Sequence, residues 1–230
     1  GLTIRKYYMA YLFILGPVVI TTVFLFIPMI SSFAFSLTEW SGIQPPEFVG
    51  LANYQRLIFH DRKFIKSHIN TTIFVILGQG SGPIFGLVSA LALNQKVKFR
   101  AAFRTAYFLP VMTSLVVVAT IWKMLDNENG LVNFLLERAG LPTTRWLMNP
   151  STALLSIIVT SVWQGFGFET VIFLAALQAI PKELYEAAMI DGANAWNRFW
   201  HVTLPSLRPV IVMIYIIGII GTYQVFDQIY

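Results

Sequence analysis

Long apolar stretches separated by short polar ones dominate this chain. Formal charge is absent from Tyr7 to Thr38, Ile69 to Gln95, Thr105 to Trp122 and Pro209 to Phe226, and the stretch from Trp146 to Pro181 holds a single charge, Glu169. A helix that crosses a bilayer needs roughly 20 mostly apolar residues. The pattern therefore predicts five spans, near residues 10–36, 69–94, 105–123, 152–178 and 206–228. The expected fold class is an all-α, polytopic membrane helical bundle. The first run is too long for a signal peptide, and no Ala-x-Ala cleavage site follows it. Pro17, Pro28, Pro83 and Pro110 fall within these runs. Such prolines break soluble helices, but in a bundle neighbouring helices satisfy the freed carbonyls.

The polar segments set the expected topology. Arg5 and Lys6 precede the first span, Lys96, Lys98, Arg100 and Arg104 lie between the second and third, and Lys182, Arg198 and Arg208 lie between the fourth and fifth. These nine basic residues share one side, while the other seven are spread over longer segments on the opposite side. That density predicts a cytoplasmic N-terminus. Segments 38–68 and 124–150 then lie outside. They are rich in turn residues, among them Pro45-Pro46, Asn129-Gly130, Pro142 and Pro150. Leu131 to Glu137 reads as a short interfacial helix. No internal repeat is visible, so residues 1–230 are expected to form a single transmembrane domain. Five spans leave the C-terminus outside, and the sequence stops at Ile229-Tyr230 without a polar tail. A sixth span beyond the C-terminus is therefore expected.

Composition agrees with a bilayer as solvent. Of 230 residues, 56% are hydrophobic and 12% charged, with a mean hydropathy of +0.67. A soluble domain carries about 25% charged residues. The absence of cysteine excludes a disulfide framework, cysteine-ligated zinc and thiol chemistry. The net charge of +5 does not point to nucleic acid, because the basic residues sit between apolar runs instead of forming a patch.

The segment Ile180 to Pro205 is the most informative. Pro181 suits the first turn of a helix, where its missing N–H would be unpaired anyway. Lys182 to Ile190 are mostly helix formers, and Asp191-Gly192 is a stop at which Gly192 can turn left-handed. Asn194 can cap a second short helix running to about His201, and Pro205 opens the last span. Ala187, Ala188 and Ala193 allow another surface to come close, and Glu186 adds a charge. Two readings fit these residues: an amphipathic elbow at the membrane surface, and a docking element for a partner protein.

Three further features carry candidate chemistry. Glu169 is a carboxylate inside the fourth span, which should face the bundle or a wet cavity. It reads either as a pathway or gate residue or as a structural acid near the inner interface. Gly78, Gly82, Gly86 and Ala90 recur every four residues in the second span, a stripe suited to close helix packing, with the polar Gln79 beside it. Ser81, between Gly80 and Gly82, would need a histidine base to act as a nucleophile, and no span contains one.

Glu186-Ala187-Ala188, Gly192, Val202 and Leu204-Pro205, at these spacings, resemble the cytoplasmic motif of ABC-importer permeases, with Val202 where isoleucine is usual. The extension Asp191-Gly192-Ala193 and the lead-in Leu177-Gln178-Ala179-Ile180-Pro181 resemble the carbohydrate-uptake branch, of the maltose and glycerol-3-phosphate type. So do Tyr107-Phe108-Leu109-Pro110 and Phe226-Asp227-Gln228-Ile229-Tyr230.

This resemblance implies a permease subunit of an ATP-driven importer for a sugar or related polar solute. Such a subunit lies in a prokaryotic cytoplasmic (inner) membrane and works by alternating access. Residues 179–205 would form a coupling loop in which Glu186, Ala187, Ala188, Asp191, Gly192, Ala193, Leu204 and Pro205 engage a cleft on the ATPase. Glu186 would pair there with a basic residue. Implied partners are a second permease of similar fold, an ABC ATPase dimer, an extracytoplasmic solute-binding protein and membrane lipid. No Gly-x4-Gly-Lys-Ser/Thr pattern is present, so ATP and magnesium would sit on the partner ATPase, with no cofactor or metal expected in this chain. Ser161, Gln164, Gly165 and Thr222 align with pathway-facing positions of the maltose-type pattern, and Glu169 joins them as a candidate. Gly218 and Val225 stand where relatives can carry polar side chains. An intramembrane hydrolase and a secondary transporter are the alternatives.

Overall fold

The computed structural model describes residues 2–95 and 98–223. Lys96, Val225, the stretch Phe226 to Tyr230 with Asp227, and the expected end of the fifth span lie outside the described residues. Contacts group the chain into two compact units, Gly1–His68 and Ile69–Tyr230.

In the first unit, helix α1 (Leu2–Thr21) passes through a π-helical turn (Thr22–Phe26) into α2 (Ile27–Ser36). The ring of Pro28 would clash with the carbonyl four residues back, at Phe24. The wider turn at 22–26 absorbs that conflict. The run Tyr7–Ser36 is 30 residues long and buries none of its apolar stretch within the protein, with Phe13 81% exposed. At about 1.5 Å per residue it exceeds a hydrocarbon core of about 30 Å. A two-residue ribbon follows, β1 (Thr38–Glu39) antiparallel to β2 (Glu47–Phe48). Asn53, in α3 (Ala52–Gln55), donates to the carbonyls of Ser36 (3.0 Å) and Thr38 (2.9 Å). The Tyr54 hydroxyl bonds that of Ser36 at 2.6 Å. After a second π-helical turn (Arg56–His60), Asp61 caps α4 (Arg62–Asn94), its carboxylate accepting from the amides of Lys63 and Phe64.

The second unit is built on α8 (Ala153–Ala179), which packs against α5 (Arg100–Met112), α6 (Leu115–Leu125) and α11 (Leu204–Tyr223). Gly167 lets α5 and α8 meet closely: a Cβ there would overlap the Tyr107 carbonyl, and the Tyr107 and Phe166 rings pack edge to face at 5.5 Å. The apolar core joins Ala90 and Leu93 of α4, Phe173, Leu174 and Leu177 of α8, and Leu207 and Ile214 of α11. Helix α7 (Leu131–Arg138) is the short helix expected over 131–137. Within 124–150 the buried Asn133 is a hub. It offers its amide to the carbonyls of Asn127, Glu128 and Thr144 and accepts from the Trp146 indole at 3.0 Å.

Among the described residues, four unbroken helices are long and apolar enough to cross a membrane. The third expected span differs from a continuous helix: α5 and α6 meet at 101°, with Thr113 and Ser114 extended between them. Pro110 withholds a backbone N–H in the last turn of α5, and the Thr113 carbonyl is captured by another helix. Broken helices persist at membrane depth where the protein satisfies the freed groups.

Candidate functional site

Helices α4, α8 and α11 line a partly open cavity of about 270 Å³. Residues 161, 164, 165 and 169 follow helical spacing and so share one face of α8. That face turns Ser161, Gln164, Gly165 and Glu169 into the cavity, while α11 contributes Gly218, Gly221 and Thr222 and α4 contributes Phe74, Gln79 and Gly82.

Polar contacts fasten this wall. Gln79 donates from Nε2 to the Ile214 carbonyl and accepts from the Thr222 hydroxyl, both at 3.4 Å. The Thr222 hydroxyl also reaches its own helix at the Gly218 carbonyl, 2.7 Å away. Gln164 Nε2 lies 3.4 Å from the Thr113 carbonyl and so supports the break between α5 and α6. Glu169 lies on the glycine stripe: a Cβ on Gly86 would come within 2.7 Å of the Glu169 Cβ, and one on Gly82 within 3.1 Å of Oε2. Oε2 is shut from solvent and accepts no hydrogen bond from a described residue.

The segment after α8 folds as helix, turn, helix. Pro181 is the residue before α9 (Lys182–Ile190), one position earlier than the first-turn role its sequence suggests. Gly192 adopts φ +79°, its N–H bonding the Met189 carbonyl (3.1 Å) while Ala193 N–H bonds that of Ala188 (2.8 Å). These two bonds form a Schellman cap. Asn194 caps α10 (Ala195–Arg198) by accepting from the Asn197 amide at 2.8 Å. A π-helical turn (Phe199–Thr203) then leads into α11, absorbing the conflict between Pro205 and the carbonyl of His201. The Tyr185 hydroxyl bonds that of the buried Thr203 at 2.9 Å and fixes α9 to the base of α11. Glu186, Ala187, Asp191, Gly192 and Pro205 are exposed, and Ala188, Ala193 and Leu204 are partly buried.

Residues 82–226 match the family described as binding-protein-dependent transport system inner membrane component. The chain belongs to this family. The permease is 36% identical over 226 residues to the probable ABC transporter permease protein YurN of Bacillus subtilis (strain 168), covering 96% of this chain and 77% of that protein. It is likewise 36% identical over 228 residues to the trehalose/maltose transport system permease protein MalF of Thermococcus litoralis, covering 98% and 77%. Its fold matches the crystal structure of a bacterial ABC transporter that imports the acidic polysaccharide alginate, with a TM-score of 0.81, 28% identity and coverage of 97% of this chain and 76% of that one.

The permease thus gathers its sequence-level candidates into two places: Ser161, Gln164, Gly165, Glu169 and Thr222 in one cavity, and Glu186 to Pro205 on one exposed loop. Phe74 and Gly221 line the cavity but carry no local pattern that marks them. The Ser81 hydroxyl donates to the Leu77 carbonyl of its own helix at 2.6 Å. Among the described residues, no group of three or more His, Asp or Glu side chains could share a metal ion.

Proposed function

We propose that the permease moves a sugar or related polar solute through the cavity between α4, α8 and α11, driven by a separate ABC ATPase dimer that binds magnesium and ATP. The reading covers residues 1–230 as one permease domain with a cytoplasmic N-terminus and a coupling loop at about 179–205. A second permease of similar fold completes the path, and an extracytoplasmic solute-binding protein delivers the solute. Relatives named for trehalose and maltose, for lactose and for arabinooligosaccharides support the solute class. A solved relative in complex with its alginate pentasaccharide-bound periplasmic protein supports the delivery partner.

The observation that carries this reading is continuity. The exposed helix–turn–helix joins α8 directly to α11, and both helices line the cavity. A push on α9 therefore reaches the cavity wall through Ile180 on one side and through the Tyr185–Thr203 bond on the other. The test is a single cysteine at Ala188 paired with single cysteines across the ATPase surface, in a chain with no native cysteine. Crosslinking that depends on nucleotide supports coupling. Absence of any crosslink in an active transporter overturns it.

A further inference from the structure

The cavity has one-sided charge. Among the described residues that line it, Glu169 is the one ionisable side chain, with no lysine, arginine or histidine beside it. The remaining polar lining is neutral: Gln79, Ser161, Gln164 and Thr222. Nothing described offsets the carboxylate. It takes part in no ion pair, its Oε2 accepts no hydrogen bond, and beneath it lie Gly82 and Gly86, which have no side chain to do so. An ion pair between described residues, Arg145 with Glu128, lies in the segment between α6 and α8. When ionised, the Glu169 carboxylate is a single uncompensated charge between apolar walls, and its field is focused into the space it lines.

From this geometry we infer that the cavity sorts solutes by charge. It accepts neutral polyhydroxyl groups, whose hydroxyls can donate to Glu169 and exchange hydrogen bonds with the two glutamines, and it tolerates cationic groups. It repels saccharides that bear carboxylate, sulfate or phosphate. The inference rests on the proposed role of the cavity as the solute path. The shared fold accompanies import of an acidic polysaccharide in its solved relative, so fold alone does not set the charge class.

The test reads the cavity's field without needing the natural solute. Cysteines are introduced singly at Gly165 and Gly221, where a Cβ meets nothing within 4 Å, in the complete transporter with its ATPase and second permease. Each is labelled with a cationic trimethylammonioethyl and an anionic sulfonatoethyl methanethiosulfonate, with rates normalised to free cysteine. The cationic reagent should be favoured about tenfold or more at low salt, and the preference should shrink as salt rises. Glu169→Gln should bring it to within about threefold of unity. A ratio near one at both positions with Glu169 present overturns the inference and leaves the pathway reading standing, and this arm stands even if Glu169→Gln fails to assemble. A cationic preference that survives Glu169→Gln also overturns it. If neither reagent reaches either cysteine in any nucleotide state, the cavity is not on the solute path and both readings fall.

Discussion

The side-chain amide of Gln79 fills the space that a side chain on Gly218 would need: a Cβ built on Gly218 overlaps the Gln79 Nε2. Gln79 belongs to α4 and Gly218 to α11, so one polar side chain seated in one gap holds two spans together. At this point of the cavity wall α11 has a glycine, and the polar group arrives from α4.

Gly218→Ala should therefore evict Gln79 and break its bonds to the Ile214 carbonyl and the Thr222 hydroxyl. Overpacking of this kind costs about 1–3 kcal/mol. Adding Gln79→Ala should restore much of the loss, because the new methyl then has room. Thermal unfolding of the four forms of the cycle in detergent measures the coupling. Additive losses would mean that the two residues do not share the space.

The glycine stripe makes a graded prediction. Gly86→Ala drives a methyl against the Glu169 Cβ and nearby backbone, which a rotamer change cannot relieve, and should cost about 1–3 kcal/mol. Gly82→Ala meets only the mobile end of the Glu169 side chain, at 3.1 Å, and should lose less. Gly78→Ala meets nothing within 4 Å and should be neutral or gain up to about 1 kcal/mol from helix propensity. Melting temperatures in detergent should follow that order.

On the loop, Gly192→Val places a β-branched residue at φ +79°, a strain of about 1–2 kcal/mol or more. Glu186→Lys reverses an exposed charge without touching the fold. Both should lower crosslinking from a cysteine at Ala188 to the ATPase, and transport with it, while insertion of the spans is unchanged. Wild-type crosslinking and transport in both variants would require abandoning the coupling role. Tyr185→Phe separates docking from transmission: it leaves the buried Thr203 hydroxyl without its partner on α9, so docking should persist while transport per ATP hydrolysed falls.

Asp126 gives a pH signature. It follows the last turn of α6, is buried, and has an Oδ2 that accepts no hydrogen bond from a described residue. Burial raises its carboxyl above the ordinary value, so the folded chain holds this proton more tightly than the unfolded one. Its contribution to stability is full below the ordinary carboxylate range and is lost as pH rises through the folded-state value. Asp126→Asn should stabilise the protein at neutral pH and flatten that part of the profile. Melting temperatures from pH 4 to 8 check this, and an unchanged slope would exclude Asp126 as its source.

Features legible in the sequence are those whose causes are local. Charge-free runs predict the spans because hydrocarbon tolerates little else. Gly192 and Asn194 announce a turn and a cap because one residue's backbone or side chain does the work. The break at 113–114 is less readable, since Pro110 resembles the prolines that α4 and α11 accommodate at Pro83 and Pro209 without breaking. At the break the Thr113 carbonyl meets Gln164, 51 residues further along the chain, a contact that no local pattern marks. The stripe on α4 predicts close packing but does not name Glu169 as what packs there. Asn133 stands in an ordinary polar context in the sequence, and only the fold brings together the carbonyls it serves.

The Gln164 amide faces the cavity and also supports the bend between α5 and α6, through a bond to the Thr113 carbonyl that is long at 3.4 Å. A bond of that length is weak and readily exchanged. Any hydroxyl in the cavity that claims this amide removes a donor from the bend. By linkage, such an exchange would couple occupancy of the cavity to the angle between α5 and α6 in both directions. One side chain would thereby tie the shape of a helix to what the cavity holds.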